Sequence, residues 1–149
     1  MSTERVDVVI RELQQEEFPL ILPLIERHNA KIPPEELRRR LEAMIPCGYH
    51  CIAAFEGERI VGVAGYWLGA RFYCGEYMDV DNVVVDPDLR SKGVGAKMMD
   101  WLEAKAQELG CKVVVLDSYV TYAGAHRFYF RQGYEILGFH FNKPIPSAS

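Results

Sequence analysis

"DNVVVDPDLRSKGVG", residues 81–95, is the stretch on which the reading of this chain turns. Its first half is β-branched and stops at Asp86-Pro87. Proline lacks the ladder donor and restricts its neighbour to extended backbone, so this half reads as a strand and its end. The second half sets Arg90, Lys92, Gly93 and Gly95 ahead of "AKMMDWLEAKAQELG". There Val94, Met98, Trp101 with Leu102, Ala106 and Leu109 recur at three- and four-residue steps. That spacing predicts a helix over about 93–109 with one buried face, and Gly110 suits its C-cap. A helix N-terminus exposes backbone amides without intrahelical partners and adds partial positive charge, and glycine lets an anion approach them. The junction is therefore a candidate diphosphate cradle. On its own, G-x-G describes a soft turn with solvent-facing cations equally well.

Two other phosphate-binding classes compete for the loop. A dinucleotide fold would read "GVGAKM" as G-x-G-x-x-G, with Asp117 as the ribose acid. Met98 stands where the third glycine belongs, and too little sequence follows for the usual doubly wound sheet. A Walker loop needs G-K-[ST], which the sequence lacks.

Working outward, "VDVVIREL", residues 6–13, reads as a strand. Residues 16–29 have helical spacing with breaks at Pro19 and Pro23, and 33–44 form a cleaner helix opened by Pro34, Glu35 and Glu36. Residues 50–68 read as two strands around "EGE", followed by a looser segment at 69–76 and a strand at 77–85. After the glycine junction and its helix, "KVVVLDS" is a near-continuous apolar strand. Residues 121–134 read as a short helix stopped at Gly133, and "YEILGFHFNK", 134–143, as one or two closing strands before a frayed tail. The expected architecture is one α/β domain over 1–149. Its single mixed, mostly antiparallel sheet has about six to seven strands, with helices on both faces.

Composition narrows the functional classes. A length of 149 residues suits one core, and a net charge of -4 with no basic block beyond "LRRR" argues against a nucleic-acid partner. The longest apolar runs fall short of the ~18 residues a membrane span needs, so no membrane partner and a cytoplasmic location are expected. Cys47, Cys51, Cys74 and Cys111 show no metal-ligand spacing, so they read as reduced structural thiols and no metal is expected. The four histidines are scattered and pair with no serine or cysteine at a recognised spacing.

Two stretches carry a family resemblance. "VVVDPDLRSKGVG" resembles motif A of the GNAT N-acetyltransferase superfamily, [RQ]-x-x-G-x-[GA] after a V-x-P strand end, through Arg90, Gly93 and Gly95. About thirty residues on, "AHRFYFRQGY" is similar to the second hallmark, A-x-x-F-Y-x-x-x-G-[FY], through Ala125, Phe128, Tyr129, Gly133 and Tyr134. The resemblance implies acetyl-coenzyme A as cosubstrate between two central, splayed parallel strands, "DNVVV" and "KVVVLDS". Its pantetheine arm would lie along Val83, Val84 and Val85, and its pyrophosphate on the amides of Arg90, Ser91, Lys92, Gly93, Val94 and Gly95. Tyr122 stands where an asparagine is frequent, so it would stack or donate its hydroxyl there, or simply pack.

The implied reaction is direct transfer of acetyl to an amine. A lysine-like ammonium, pKa about 10.4, must lose a proton before it attacks. The oxyanion needs a donor, for which a backbone N–H at a strand bulge near Val83 to Val85 is the candidate, and the thiolate needs a proton. The resemblance places Tyr129 near the sulfur as general acid. For the base, alternation puts Asp79 and Asp81 on one face with Val83 and Val85 if no bulge intervenes, with Glu76 behind them. Trp67, Phe72, Tyr73 and Tyr77 beside those acids suit a small cationic amine. The alternatives are a peptide or protein amine and, in another class, a non-catalytic acyl-coenzyme A sensor. A homodimer is left open.

Overall fold

The computed structural model describes residues 6–148. The chain forms two compact units, one ending at Leu116 and the other beginning at Asp117. The first carries a five-stranded sheet in the order β1-β2-β3-β4-β5, with β1 Val9–Glu12, β2 His50–Glu56, β3 Arg59–Arg71, β4 Gly75–Val85 and β5 Val113–Leu116. The first three pairings are antiparallel and β4 with β5 is parallel. Helices α1 Leu22–His28, α2 Pro34–Met44 and α3 Val94–Glu108 complete this unit, and α4 Ala123–Arg131 lies in the second. Among the described residues no helix is long and apolar enough to cross a membrane.

The helices cover both faces of the sheet. Leu22, Leu24, Leu37 and Leu41 from α1 and α2 share a buried cluster with Cys51, Ala53, Val63 and Val84. On the other face a Cβ at Gly62 would meet Val94 and Met98 at 3.0–3.1 Å, so the missing side chain is what lets α3 seat closely. Met98, Met99 and Leu102 of α3 are fully buried there. Pro19 falls within a 3-10 segment, Gln15–Ile21, and Pro23 sits in the first turn of α1, so the expected break lies between two helical pieces.

Three expectations need correction. The sheet has five strands rather than six or seven: among the described residues 134–148 carry no strand. Alternating apolar residues form a strand only where a ladder partner is supplied, and this stretch is interrupted by Gly138 and ended by Pro144. The parallel pair β4-β5 is accordingly at one end of the strand order rather than central. Finally, the segment at 69–76 is mostly strand. β3 runs on to Arg71, only 72–74 turn, and Gly75 at φ 77° starts β4. Tyr77 lies across Gly69 where a side chain would stand, and the Arg71 guanidinium sits 4.3 Å from the Tyr77 ring centroid.

Candidate active site

The loop between β4 and α3 hangs from one carboxylate. Asp86 is 1% exposed. Its Oδ1 accepts the Asp88 N–H at 3.0 Å, and its carbonyl accepts Leu89 N–H at 2.9 Å. Oδ2 accepts from Arg27 at 3.4 Å and from Arg59. The Asp88 amide first, and the two guanidinium groups behind it, hold the carboxyl below its ordinary 3.8 despite burial. An Asp-Pro-Asp step is a recognisable turn-capping signal in sequence; that two arginines distant in the chain converge on it is not.

Past Asp86 the backbone descends in tight turns to Lys92, whose N–H donates to the Leu89 carbonyl at 3.3 Å. Ser91 and Gly93 are left-handed, at φ 65° and 88°, so two chain reversals present the head of α3. Gly93 is the N-cap of that helix; it offers no side-chain cap and no acid lies in the first turn. The first-turn amides therefore have no intrahelical partner and no acid within their own turn, with Arg90 and Lys92 preceding them. Val6 N–H donates to the Lys92 carbonyl at 3.2 Å and Lys97 Nζ of α3 to the Val8 carbonyl at 3.1 Å, tying the loop and the head of α3 to the stretch ahead of β1. The donor set fits a diphosphate.

The neighbouring stretch of β4 fits an extended arm. The β5 ladder ends at Val80↔Leu116, so Asp81 to Val85 pair within the sheet with β3 alone. A bulge interrupts that pairing: Gly65 faces Asp81 and Val63 faces Val84, so Asn82 and Val83 stand opposite the single Ala64. Asn82 takes φ 40°, its Oδ1 accepts from the Tyr49 hydroxyl at 2.9 Å, and Gly65 makes room for both side chains. Burial pushes the Tyr49 hydroxyl up, so it stays a donor.

The bulge reverses one expectation about the acids. Asp79 and Asp81 pair with Trp67 and Gly65, on the face of α1 and α2, whereas Val85 pairs with Gly62 on the α3 face. Asp79 and Asp81 therefore share a face with Val84 and not with Val85. Asp81 accepts the Trp67 indole N–H at 3.0 Å and the Asn82 backbone N–H at 2.8 Å, which aims its carboxylate beside an aromatic ring. Tyr49 and Trp67 pack with centroids 5.3 Å apart, and Phe18 meets Tyr49 edge-on. Glu76, paired with Ala70, lies on the opposite face and is not part of this group. Phe72 and Tyr73, at the tip of the β3-β4 turn, are exposed.

In the second unit, Tyr129 on α4 is half-buried, with its ring edge-on to Phe128 and Tyr134 at 5.1 and 5.9 Å. Burial pushes its hydroxyl up, keeping the phenol protonated at neutral pH. Tyr122 is the N-cap residue of α4, and its ring packs edge-on to Tyr119 rather than capping the helix. Of the thiols, Cys51 is fully buried and pushed up to about 12, chiefly by that burial, which makes it inert. Among the described residues no three acidic, histidine or cysteine groups come together as a metal site.

Asp86 yields a stability prediction. Because its folded carboxyl lies below the ordinary value, its contribution is complete above about pH 4 and is lost as pH falls through the lower folded value. Asp86→Asn is expected to cost about 2–3 kcal/mol at pH 7, below the range for a fully buried pair because both guanidiniums are half in water. Urea unfolding should show that deficit shrinking at pH 3; a deficit that persists there would contradict the assignment.

A family model described as "Acetyltransferase (GNAT) family" matches residues 8–134. The chain is 26% identical over 97 residues to an aminoalkylphosphonate N-acetyltransferase of Salmonella typhimurium, covering 64% of this chain and 63% of that one. It is 30% identical over 95 residues to a glucosamine 6-phosphate N-acetyltransferase of Arabidopsis thaliana, covering 60% and 64%. The matches thus span less than two thirds of these relatives. A crystal structure of an acetyltransferase from Trypanosoma brucei has the same fold, with a TM-score of 0.75 at 23% identity, covering 93% of this chain and 100% of that one.

Proposed function

The chain belongs to the acetyltransferase (GNAT) family, and from that premise we propose that it transfers acetyl from acetyl-coenzyme A directly to the primary amine of a small cationic molecule. The observation that carries the reading is the head of α3: a left-handed glycine N-cap with no side-chain cap and no first-turn acid, one loop after a strand whose parallel neighbour stops at Leu116. The amides from Ser91 to Gly95 and the side chain of Arg90 hold the pyrophosphate, and the backbone of Val83, Val84 and Val85 carries the pantetheine arm. Each charge-assisted hydrogen bond contributes about 1.5–3 kcal/mol, so a few of them reach micromolar affinity.

Asp81, with Asp79 on the same face, attracts the ammonium and takes its proton directly or through water, while Trp67, packed on the buried Tyr49, supplies the aromatic wall. The Asn82 N–H being held by Asp81, the backbone N–H of Val83 at the bulge donates to the developing oxyanion. Tyr129 returns a proton to the departing thiolate. Asp81→Asn should lower kcat/KM for the amine by about 10–10²-fold with little change in acetyl-coenzyme A affinity. Unchanged amine kinetics would remove Asp81 from the role.

Two of the relatives are named for small amines bearing phosphonate or phosphate. That supports a small-molecule acceptor over a protein one. Calorimetry tests the cosubstrate: acetyl-coenzyme A should bind at micromolar strength and a nicotinamide dinucleotide should not. The reverse ranking would return the loop to the dinucleotide class.

A further inference from the structure

Arg27 reaches the root of the cradle from the opposite side of the site. It lies in the last turn of α1, and from that helix end the chain is tied onward: Asn29 Nδ2 donates to the Ile25 carbonyl at 2.8 Å and Ile32 N–H to the Asn29 carbonyl at 2.9 Å. The end of α1 and the loop after it are thus tied together, on the sheet face that also carries Asp79 and Asp81. The carboxylate it meets is divided between two tasks. Oδ1 of Asp86 organises the turns that lead to Lys92, and Oδ2 receives Arg27 and Arg59. The two arginines come from different elements, since Arg59 opens β3 at the β2-β3 hairpin whereas Arg27 ends α1.

We propose that Arg27, acting through the buried carboxylate of Asp86, is a positioning residue that holds the α1 wall of the acceptor site in register with the cosubstrate cradle. The inference rests on the coenzyme A reading of the cradle. Ordering the loop 86–95 around a pyrophosphate fixes Asp86, Asp86 fixes Arg27, and Arg27 fixes the end of α1, so occupancy of one site is felt at the other. Linkage makes the effect reciprocal: an acceptor seated against α1 tightens the cosubstrate by the same factor.

Hydrogen exchange followed by mass spectrometry tests this with acetyl-coenzyme A alone, whatever the acceptor is. In the wild-type protein, saturating acetyl-coenzyme A should slow exchange of residues 22–32 by roughly fivefold or more, the lower end of ordinary site-to-site coupling. Arg27→Gln should lose that slowing, whereas Arg27→Lys should retain it. Arg59→Gln is the decisive control: it strips a guanidinium from the same oxygen and should retain the slowing, although a purely structural role predicts equal losses. Slowing that survives in Arg27→Gln, vanishes equally in Arg59→Gln, or is absent from a wild-type protein that binds acetyl-coenzyme A overturns the proposal. Both arginine side chains are about half exposed, so neither replacement empties the core. Failure of the wild-type protein to bind acetyl-coenzyme A by calorimetry instead removes the coenzyme reading, and the inference with it.

Discussion

Gly95→Glu is expected to abolish acetyl-coenzyme A binding, with a loss of affinity of at least about 10²-fold. Gly95 is the second residue of α3, in the turn whose amides are assigned to the pyrophosphate. A glutamate there brings a bulky side chain and a full negative charge into a site built for anions. The same substitution favours the helix: glutamate is the better helix former by about half a kcal/mol, and an acid in the first turn complements the dipole. Lost binding in a protein that melts no lower than wild type therefore reports on the cradle and not on folding. Gly93→Glu is the poorer test, since Gly93 holds φ 88° and any side chain is strained there. Calorimetry giving wild-type affinity for Gly95→Glu would dismiss the phosphate assignment.

Tyr129→Phe carries the second large effect. Removing a positioned general acid costs about 10²–10⁴-fold, so turnover should fall by at least 10² while acetyl-coenzyme A affinity stays near wild type. The phenol is suited to the task by matching: its ordinary pKa of about 10 is close to that of an alkyl thiol, and burial shifts it further toward the protonated form. The ring is also packed between Phe128 and Tyr134, and phenylalanine keeps both contacts, so a purely structural Tyr129 would show little change. Kinetics at saturating acetyl-coenzyme A separate the two; wild-type turnover would end the proposed role.

The elements legible from sequence are those whose determinants are local. The hairpin around Gly57, the amphipathic α3 and its glycine head, and the proline break between residues 15 and 28 follow from turn chemistry, periodicity and the missing N–H of proline. What escaped was set across the sheet or between distant segments. Residues 69–71 look like loop because glycine and arginine disfavour strands, yet Tyr77 covers Gly69 and the ladder continues. The bulge at Asn82 and Val83 is invisible in an alternating pattern; it is revealed by a left-handed asparagine tied to Tyr49, thirty-three residues away. That single extra residue puts Asp81 on the face of Val84 rather than that of Val85. The arginine pair on Asp86 joins chain positions 27, 59 and 86, a convergence that only the folded chain creates. The closing strands failed for the opposite reason, since strand-like composition at 134–143 specifies no ladder.

A thiol-release assay of the wild-type protein with acetyl-coenzyme A, across a panel of small amines, polyamines, aminosugar phosphates, aminoalkylphosphonates and peptides, tests the central claim most directly. The expected result is thiol release that depends on a small primary amine and matches the amide formed one for one, with no acetylated protein detected by mass. Tight acetyl-coenzyme A binding without amine-dependent release across the whole panel would contradict it and leave an acyl-coenzyme A sensor in place of an enzyme.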